Sequence, residues 1–185
     1  MKMRLVGFFL LAVIVVTAAM SFMLPTSQKL NRTITINAPA AVIFEQLKKL
    51  DNFNRFSVWS QQDPAVKYTL TGTDGTVGAA TSWTGNPEIS GEGKIAIIAL
   101  EPTHKVTHQI EFSKPRKGKA TSTFSIIEKE KNLTDVTWYF EMATPRPWNI
   151  FNFFYSLDKQ MGKDFEDGLS TMKKAIEATM TTPAP

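Results

Sequence analysis

The chain has 185 residues, enough for one domain with an appendage. It contains no cysteine, which excludes disulfides, thiolate metal sites, a cysteine nucleophile and a lipid-modified cysteine anchor. Its 21 Lys and Arg stand against 17 Asp and Glu, and setting aside Lys2 and Arg4 leaves 19 against 17, a balance that points to no nucleic acid partner.

The appendage comes first. Leu5–Leu24 carries no charge, and a helix of that length spans roughly 30 Å, about the hydrocarbon thickness of a bilayer. Residues 1–25 therefore read as a membrane anchor. A cleaved signal peptide is the competing reading, because Lys2 and Arg4 make a basic head and Ala18 and Ala19 are small. The apolar run exceeds the usual h-region, and cleavage would leave an apolar "MSFML" at the new terminus. The basic head favours a cytoplasmic N-terminus and an extracytoplasmic domain, periplasmic in a bacterium.

Pro25–Lys29 reads as a polar tether, and residues 26–32 as linker and strand start. "LNRTITIN" alternates Leu30, Arg32, Ile34 and Ile36 against polar residues, a strand pattern. "APAAVIFEQLKKL" has helical spacing with Pro39 in its first turn. Asp51 is a candidate cap for a second short helix, "NFNRFSVW", whose Phe53, Phe56 and Trp59 pack inward. From Lys67 to Met142 six strand-like segments follow: "KYTLTG", "AATSWTG", "GEGKIAIIAL", "HKVTHQIEFSK", "KATSTFSIIEKE" and "LTDVTWYFEMA". Their short connections favour an antiparallel meander with one apolar face. "TPRPW" breaks the pattern, since two prolines do not fit a central strand. A long amphipathic helix over Ile150–Met180 closes the domain, with Phe154, Leu157, Met161, Phe165, Gly168 or Leu169, Met172 and Ile176 on its stripe. Residues 181–185 read as a disordered tail.

The order β, α, α, six strands, long helix gives an α+β helix-grip fold. A curved antiparallel sheet of about seven strands wraps a long C-terminal helix, and an N-terminal transmembrane helix precedes it. Residues 33–180 form the domain. The segments "INAPAAVIFEQLKKLDNFNRFSVWS", "DPAVKYTLTG", "GAATSW", "GEGKI", "FSKPRKGKATSTF", "VTW" and "DKQMGKDFEDGL" resemble the polyketide cyclase/dehydrase-like branch of the START-like (Bet v 1-like, SRPBCC) superfamily. The resemblance implies a hydrophobic cavity between the sheet and the long helix. It implies no catalytic set, because fold does not determine chemistry.

Candidate site residues follow from parity and stripe. Trp59, Trp83, Phe112, Phe124, Trp138 and Phe140 face inward, as do Phe154 and Met161 on the helix. They make either a dense core or the wall of an apolar pocket. Tyr68, Thr81, Ser122 and His108 are the polar groups of matching parity. His108 has three readings: a buried imidazole with its hydrogen bonds satisfied, a contact to a ligand's polar end, or a general base. The base needs an orienting partner, and the candidate, Glu128, lies near a strand end. His104 and His108 stand about 13 Å apart on a strand, too far to share a metal ion. No catalytic residue, metal or cofactor is assigned. "GTDGTVG" lacks the Lys-Ser/Thr of a phosphate loop and reads as a hairpin. "KPRKGK" gathers four cations in another hairpin, where they are solvated or touch anionic headgroups. Asp158 reads as solvated, and Gly162 as permitting close approach to the sheet.

The functional expectation is a membrane-anchored domain that binds a small hydrophobic molecule, lipid- or isoprenoid-like. One alternative is a polyketide cyclase/dehydrase-type enzyme. Another is an envelope structural or stress protein whose pocket has collapsed.

Overall fold

The computed structural model describes residues 2–181. Helix α1 (Lys2–Met23) stands outside the domain, with its large apolar side chains exposed. Strand β1 (Ser27–Ile36) follows within four residues of it. The polar tether expected at Pro25–Lys29 is thus mostly strand. The reason lies in pairing: Ser27 through Lys29 continue the ladder with Ala143 through Glu141 on β7.

Helices α2 (Ala40–Leu47), α3 (Leu50–Phe56) and α4 (Val58–Gln62) lead to β2 (Lys67–Thr71), β3 (Ala80–Thr84), β4 (Glu92–Glu101), β5 (Lys105–Lys114), β6 (Gly118–Glu130) and β7 (Leu133–Ala143). All pairs are antiparallel, and the order β1-β7-β6-β5-β4-β3-β2 is a meander closed by the first strand. Alternation is kept along β5, where Val106, His108 and Ile110 are buried, and along β7, where Thr134, Val136, Trp138 and Phe140 are. Two register shifts, between Glu92 and Gly93 and between Ile97 and Ala99, interrupt β4.

The C-terminal helix differs from its expected extent. A short 3-10 helix spans Trp148–Phe153, and α5 runs from Leu157 to Thr181. The break is enforced at both ends of the junction. Ser156 serves as the N-terminal cap: its carbonyl accepts from Gln160 N and its hydroxyl from Lys159 N. Gln28 Oε1 accepts from Leu157 N at 2.8 Å. Phe154 is therefore off the helix stripe. Thr181, expected in the tail, ends α5, while residues 182–185 lie outside the described residues.

From Leu157 on, the stripe is as its spacing predicts: Leu157, Phe165, Leu169, Met172 and Ile176 are buried against the sheet. Arg32, inward on β1, reaches α5 and pairs with Asp158 at 2.8 Å and Glu166 at 2.6 Å. Between those carboxylates, a Cβ at Gly162 would overlap the Arg32 guanidinium. The close approach expected of Gly162 is thus an approach to one side chain of the sheet. Asp158, expected to be solvated, remains exposed yet belongs to this ion pair.

The start of α3 is capped from a distance. Asp51 lies in its first turn, where it pairs with Arg55, rather than at the cap. Asp74, in the β2–β3 hairpin, accepts from Leu50 N at 2.7 Å and Asp51 N at 3.3 Å. This supplies both the anion and the acceptor that a helix N-terminus lacks. Replacing Asp74 by Ala removes both hydrogen bonds, and a loss of about 1 kcal/mol is expected in urea denaturation. Asp74→Asn should retain most of the stability.

Candidate ligand-binding site

Side chains from α3, α5 and three central strands meet inside the grip. Phe53 of α3 lies 5.3 Å, ring to ring, from His108 of β5, 6.2 Å from Phe124 of β6 and 5.8 Å from Trp138 of β7. Phe124 stacks on Trp138 at 5.0 Å, and Trp138 stacks on Phe165 of α5 at 4.0 Å. Phe140 and Trp59 meet Phe165 edge-on at 5.4 and 6.3 Å. Trp138 Nε1 donates to Ser122 Oγ at 2.8 Å, so the indole's polar atom is satisfied within the core. Rings thus occupy the space where the resemblance implies a cavity.

His108 is the exception to this satisfaction. It is fully buried, and neither Nδ1 nor Nε2 has a hydrogen-bond partner among the described residues. No protein group among the described residues supplies the hydrogen bonds that the satisfied-imidazole reading needs. Its strand neighbours across the ladder are Ile97 and Ser122, and the Ser122 hydroxyl is engaged by Trp138 instead. Burial pushes its pKa down to about 4, so the ring is neutral near pH 7. The orienting carboxylate is missing too, because Glu128 is exposed at the far end of β6.

The other sequence-predicted residues divide by place. Trp59, Phe124, Trp138 and Phe140 join His108 in the interior. Trp83 and Phe112 form a separate edge-to-face pair at 5.9 Å, with Trp83 lying over Gly93, where a Cβ would strike the indole. Trp83 Nε1 donates to Ser90 O at 2.9 Å. Tyr68 is 38% exposed and hydrogen-bonded to the Ser60 hydroxyl, far from any role beside His108. Met161 is half-buried on α5. Phe154, expected in the pocket, is 72% exposed because the helix starts three residues after it.

Two surface grooves accompany this filled interior. One of about 700 Å³ is lined by Phe112, Lys117 and Gly118 together with Thr26, Ala143 and Pro145. It lies at the end of the sheet where α1 enters and α5 begins, since Ser27 pairs with Ala143 and Ala143 with Lys119. A second, of about 350 Å³, runs beside Ser60, Asp63 and Tyr68. Asp63 is buried and accepts from the Ser90 hydroxyl and from Asn86 N at 2.7 Å, which holds its carboxyl below the usual range. It fastens the loop before β2 to the β3–β4 turn. Sequence reasoning missed Asp63, as it missed Phe53 as the ring over His108. Only Phe53's spacing from Phe56 and Trp59 hinted at an inward position.

The imidazole makes stability depend on pH with a definite sign. The unfolded ring titrates near 6.5 and the folded one near 4, so the unfolded chain binds the extra proton between those values. Stability is full above about pH 6.5 and falls as pH drops toward 4, by about 3 kcal/mol in total. Unfolding free energies from urea titrations of the native chain and of His108→Leu, measured from pH 7.5 to 4, should diverge by that amount on acidification. Residual slope common to both belongs to the carboxylates.

No curated protein matches the chain. Solved structures do. Norcoclaurine synthase from Thalictrum flavum, solved with dopamine and hydroxybenzaldehyde, is 16% identical, with TM-score 0.62 over 85% of this chain and 90% of that one. Ara h 8.0201 is 15% identical, with TM-score 0.55 over 83% and 97%. A structural-genomics protein from Chromobacterium violaceum is 11% identical, with TM-score 0.54 over 83% and 99%. At such identities the likeness is one of fold. The family profile described as polyketide cyclase / dehydrase and lipid transport matches residues 27–177, the whole helix-grip unit from the first strand to the end of the α5 stripe. The chain belongs to that family, within the START-like superfamily.

Proposed function

We propose that this protein is a membrane-anchored binder of a small, mainly apolar molecule carrying one hydrogen-bonding group. The observation that carries the reading is the unpaired His108 imidazole at the centre of an aromatic interior. A buried polar group without a partner costs about 1–3 kcal/mol, and a ligand that donates to or accepts from the ring recovers it. The apolar remainder of the ligand gains about 25 cal/mol per Å² of area removed from water. The family description and the small aromatic ligands of norcoclaurine synthase support the same class of guest.

Room for the guest comes from α3. This helix has seven residues, and Leu50 is its one buried residue. Short, sparsely buried elements open at the lowest free energy. Swinging α3 outward withdraws Phe53 from His108, Phe124 and Trp138 and leaves an apolar space with an imidazole on its wall.

Retention of α1 as an anchor has its own support. Residues Arg4–Met23 are long and apolar enough to cross a membrane, with mean hydropathy 2.6. The carbonyls at the end of the helix are taken up by the domain: Arg146 Nε and Asn149 Nδ2 both donate to Ser21 O, at 3.0 and 2.7 Å. A basic head at Lys2 and Arg4 favours a cytoplasmic N-terminus, with the domain on the other side.

The packed rings also favour a second reading, an envelope structural domain with no guest. Extraction of the full-length protein from its native membranes in mild detergent, followed by mass spectrometry of the organic extract, separates the two. A stoichiometric hydrophobic molecule is expected, with reduced occupancy in His108→Leu and raised occupancy in Phe53→Ala. Protein that carries no stoichiometric guest in the native chain and in Phe53→Ala alike would favour the structural reading.

A further inference from the structure

The segment after β7 has its polarity reversed. Trp148, Phe151, Phe153, Phe154 and Tyr155 are 61%, 48%, 68%, 72% and 59% exposed, whereas Asn149 is fully buried. A surface facing water would be arranged the other way. The inward polar groups are all occupied with the exit of α1. Ser21 Oγ donates to Asn149 Oδ1 at 2.6 Å, and Asn149 Nδ2 donates to the carbonyls of Ser21 and Leu24. Asn152 donates to Pro25 O at 3.3 Å and accepts from Gln28 at 2.9 Å. Arg146 reaches Phe22 O at 3.4 Å and lies 5.2 Å over the Phe22 ring.

Two consequences follow from these contacts. The last turn of α1 leaves carbonyls without intrahelical partners, and Arg146 and Asn149 fill that need with a cation at the negative end of the helix dipole. The helix is therefore coupled to the domain at its root rather than joined by a slack linker. The five exposed rings belong to the segment whose Asn149 bonds the Ser21 and Leu24 carbonyls, at the point where an apolar run of 20 residues ends. That is the depth at which Trp and Tyr rings lie in a bilayer, bodies in the acyl boundary and polar atoms among the headgroups.

We propose that residues 146–155 form an interfacial collar that seats the domain flush on the bilayer. The occupant of its exposed face is lipid, because the segment packs against the end of a helix that from Leu5 on carries no charge and exposes its large apolar side chains. The proposal rests on the anchor reading given above and adds to it a second membrane contact and an orientation. With the collar immersed, the groove of about 700 Å³ opens at the membrane surface, since Thr26 at the helix exit and Pro145 at the collar's start both line it. Lys117, on the same groove, faces the headgroup layer. A guest passing between lipid and domain by that route need not cross water.

The test uses the full chain in proteoliposomes that contain bromine-labelled phospholipid, with Trp148→Phe providing the difference spectrum. Bromines placed high on the acyl chain should quench the Trp148 contribution several-fold more than bromines near the chain end. The double variant Phe153→Glu/Phe154→Glu changes only exposed rings and should cut that quenching severalfold while the protein stays in the membrane. Resistance to alkaline carbonate extraction reports on α1 independently. Carbonate-resistant protein whose Trp148 is quenched at no depth would overturn the collar and leave the anchor standing. If such protein also runs as a dimer in nanodiscs, the face belongs to a second copy. Protein released by carbonate with Trp148 unquenched would overturn both readings.

Discussion

One sheet with one apolar face must be covered, and α5 supplies most of the cover. Its central contact is Phe165 stacked on Trp138 at 4.0 Å, with Phe140 and Trp59 edge-on around the same ring. Burial of one such ring stabilises by roughly 1.5–3 kcal/mol, and an aromatic pair adds about 0.5–1.5 kcal/mol. The rest of the architecture is arranged about that contact. Gly162 and Arg32 draw the helix onto β1, and Lys173 closes the far end by donating to Thr35 O at 2.8 Å. Because β1 lies beside β7 at the sheet's edge, this clamp also protects an edge that would otherwise offer free backbone groups. Strand β2, the opposite edge, is exposed along its whole length.

Against that packed background, the His108 imidazole stands out as a group that the core tolerates without satisfying. Buried polar atoms nearly always find partners, and Trp138 shows that this core can provide one through Ser122. The same solution is not extended to His108, although Ser122 is its neighbour across the ladder. An apolar residue at position 108 would be better for stability alone. Under the proposed function a guest completes its hydrogen bonding, and α3, with Phe53 at its inner face, is a short element covering it.

The other end of the molecule is organised by the exit of α1. Two asparagines and an arginine converge on the end of α1 and the residues just after it, on a segment that also carries five exposed rings. Gln28 ties that cluster to the first residue of α5. The chain of contacts runs from the apolar helix, through the 3-10 turn, into the start of the gripping helix. The groove beside Thr26 and Pro145 is therefore held in a fixed relation to the membrane-length helix.

How much of this was legible before folding depends on the range of each signal. The strands of the meander and the stripe from Leu157 to Ile176 follow local periodicity, which single residues write directly into the chain. So does the apolar helix, because twenty uncharged residues need no context. The family resemblance added the grip itself. Most departures involve partners distant in sequence: Asp74 capping α3, Gln28 holding the first residue of α5, β7 drawing Ser27–Lys29 into the sheet. The exception is Ser156, a local cap within the C-terminal apolar pattern. Parity showed that His108 faces inward, yet whether its nitrogens are paired depends on what arrives from Phe53, Phe124 and Ser122. Phe154 failed as a pocket residue because one capped serine moved the helix start beyond it. The sequence by itself determined which faces are apolar, since hydropathy is a property of each residue. Only tertiary structure decided which polar atoms find partners, since a hydrogen bond requires two groups within about 3 Å whatever their separation along the chain.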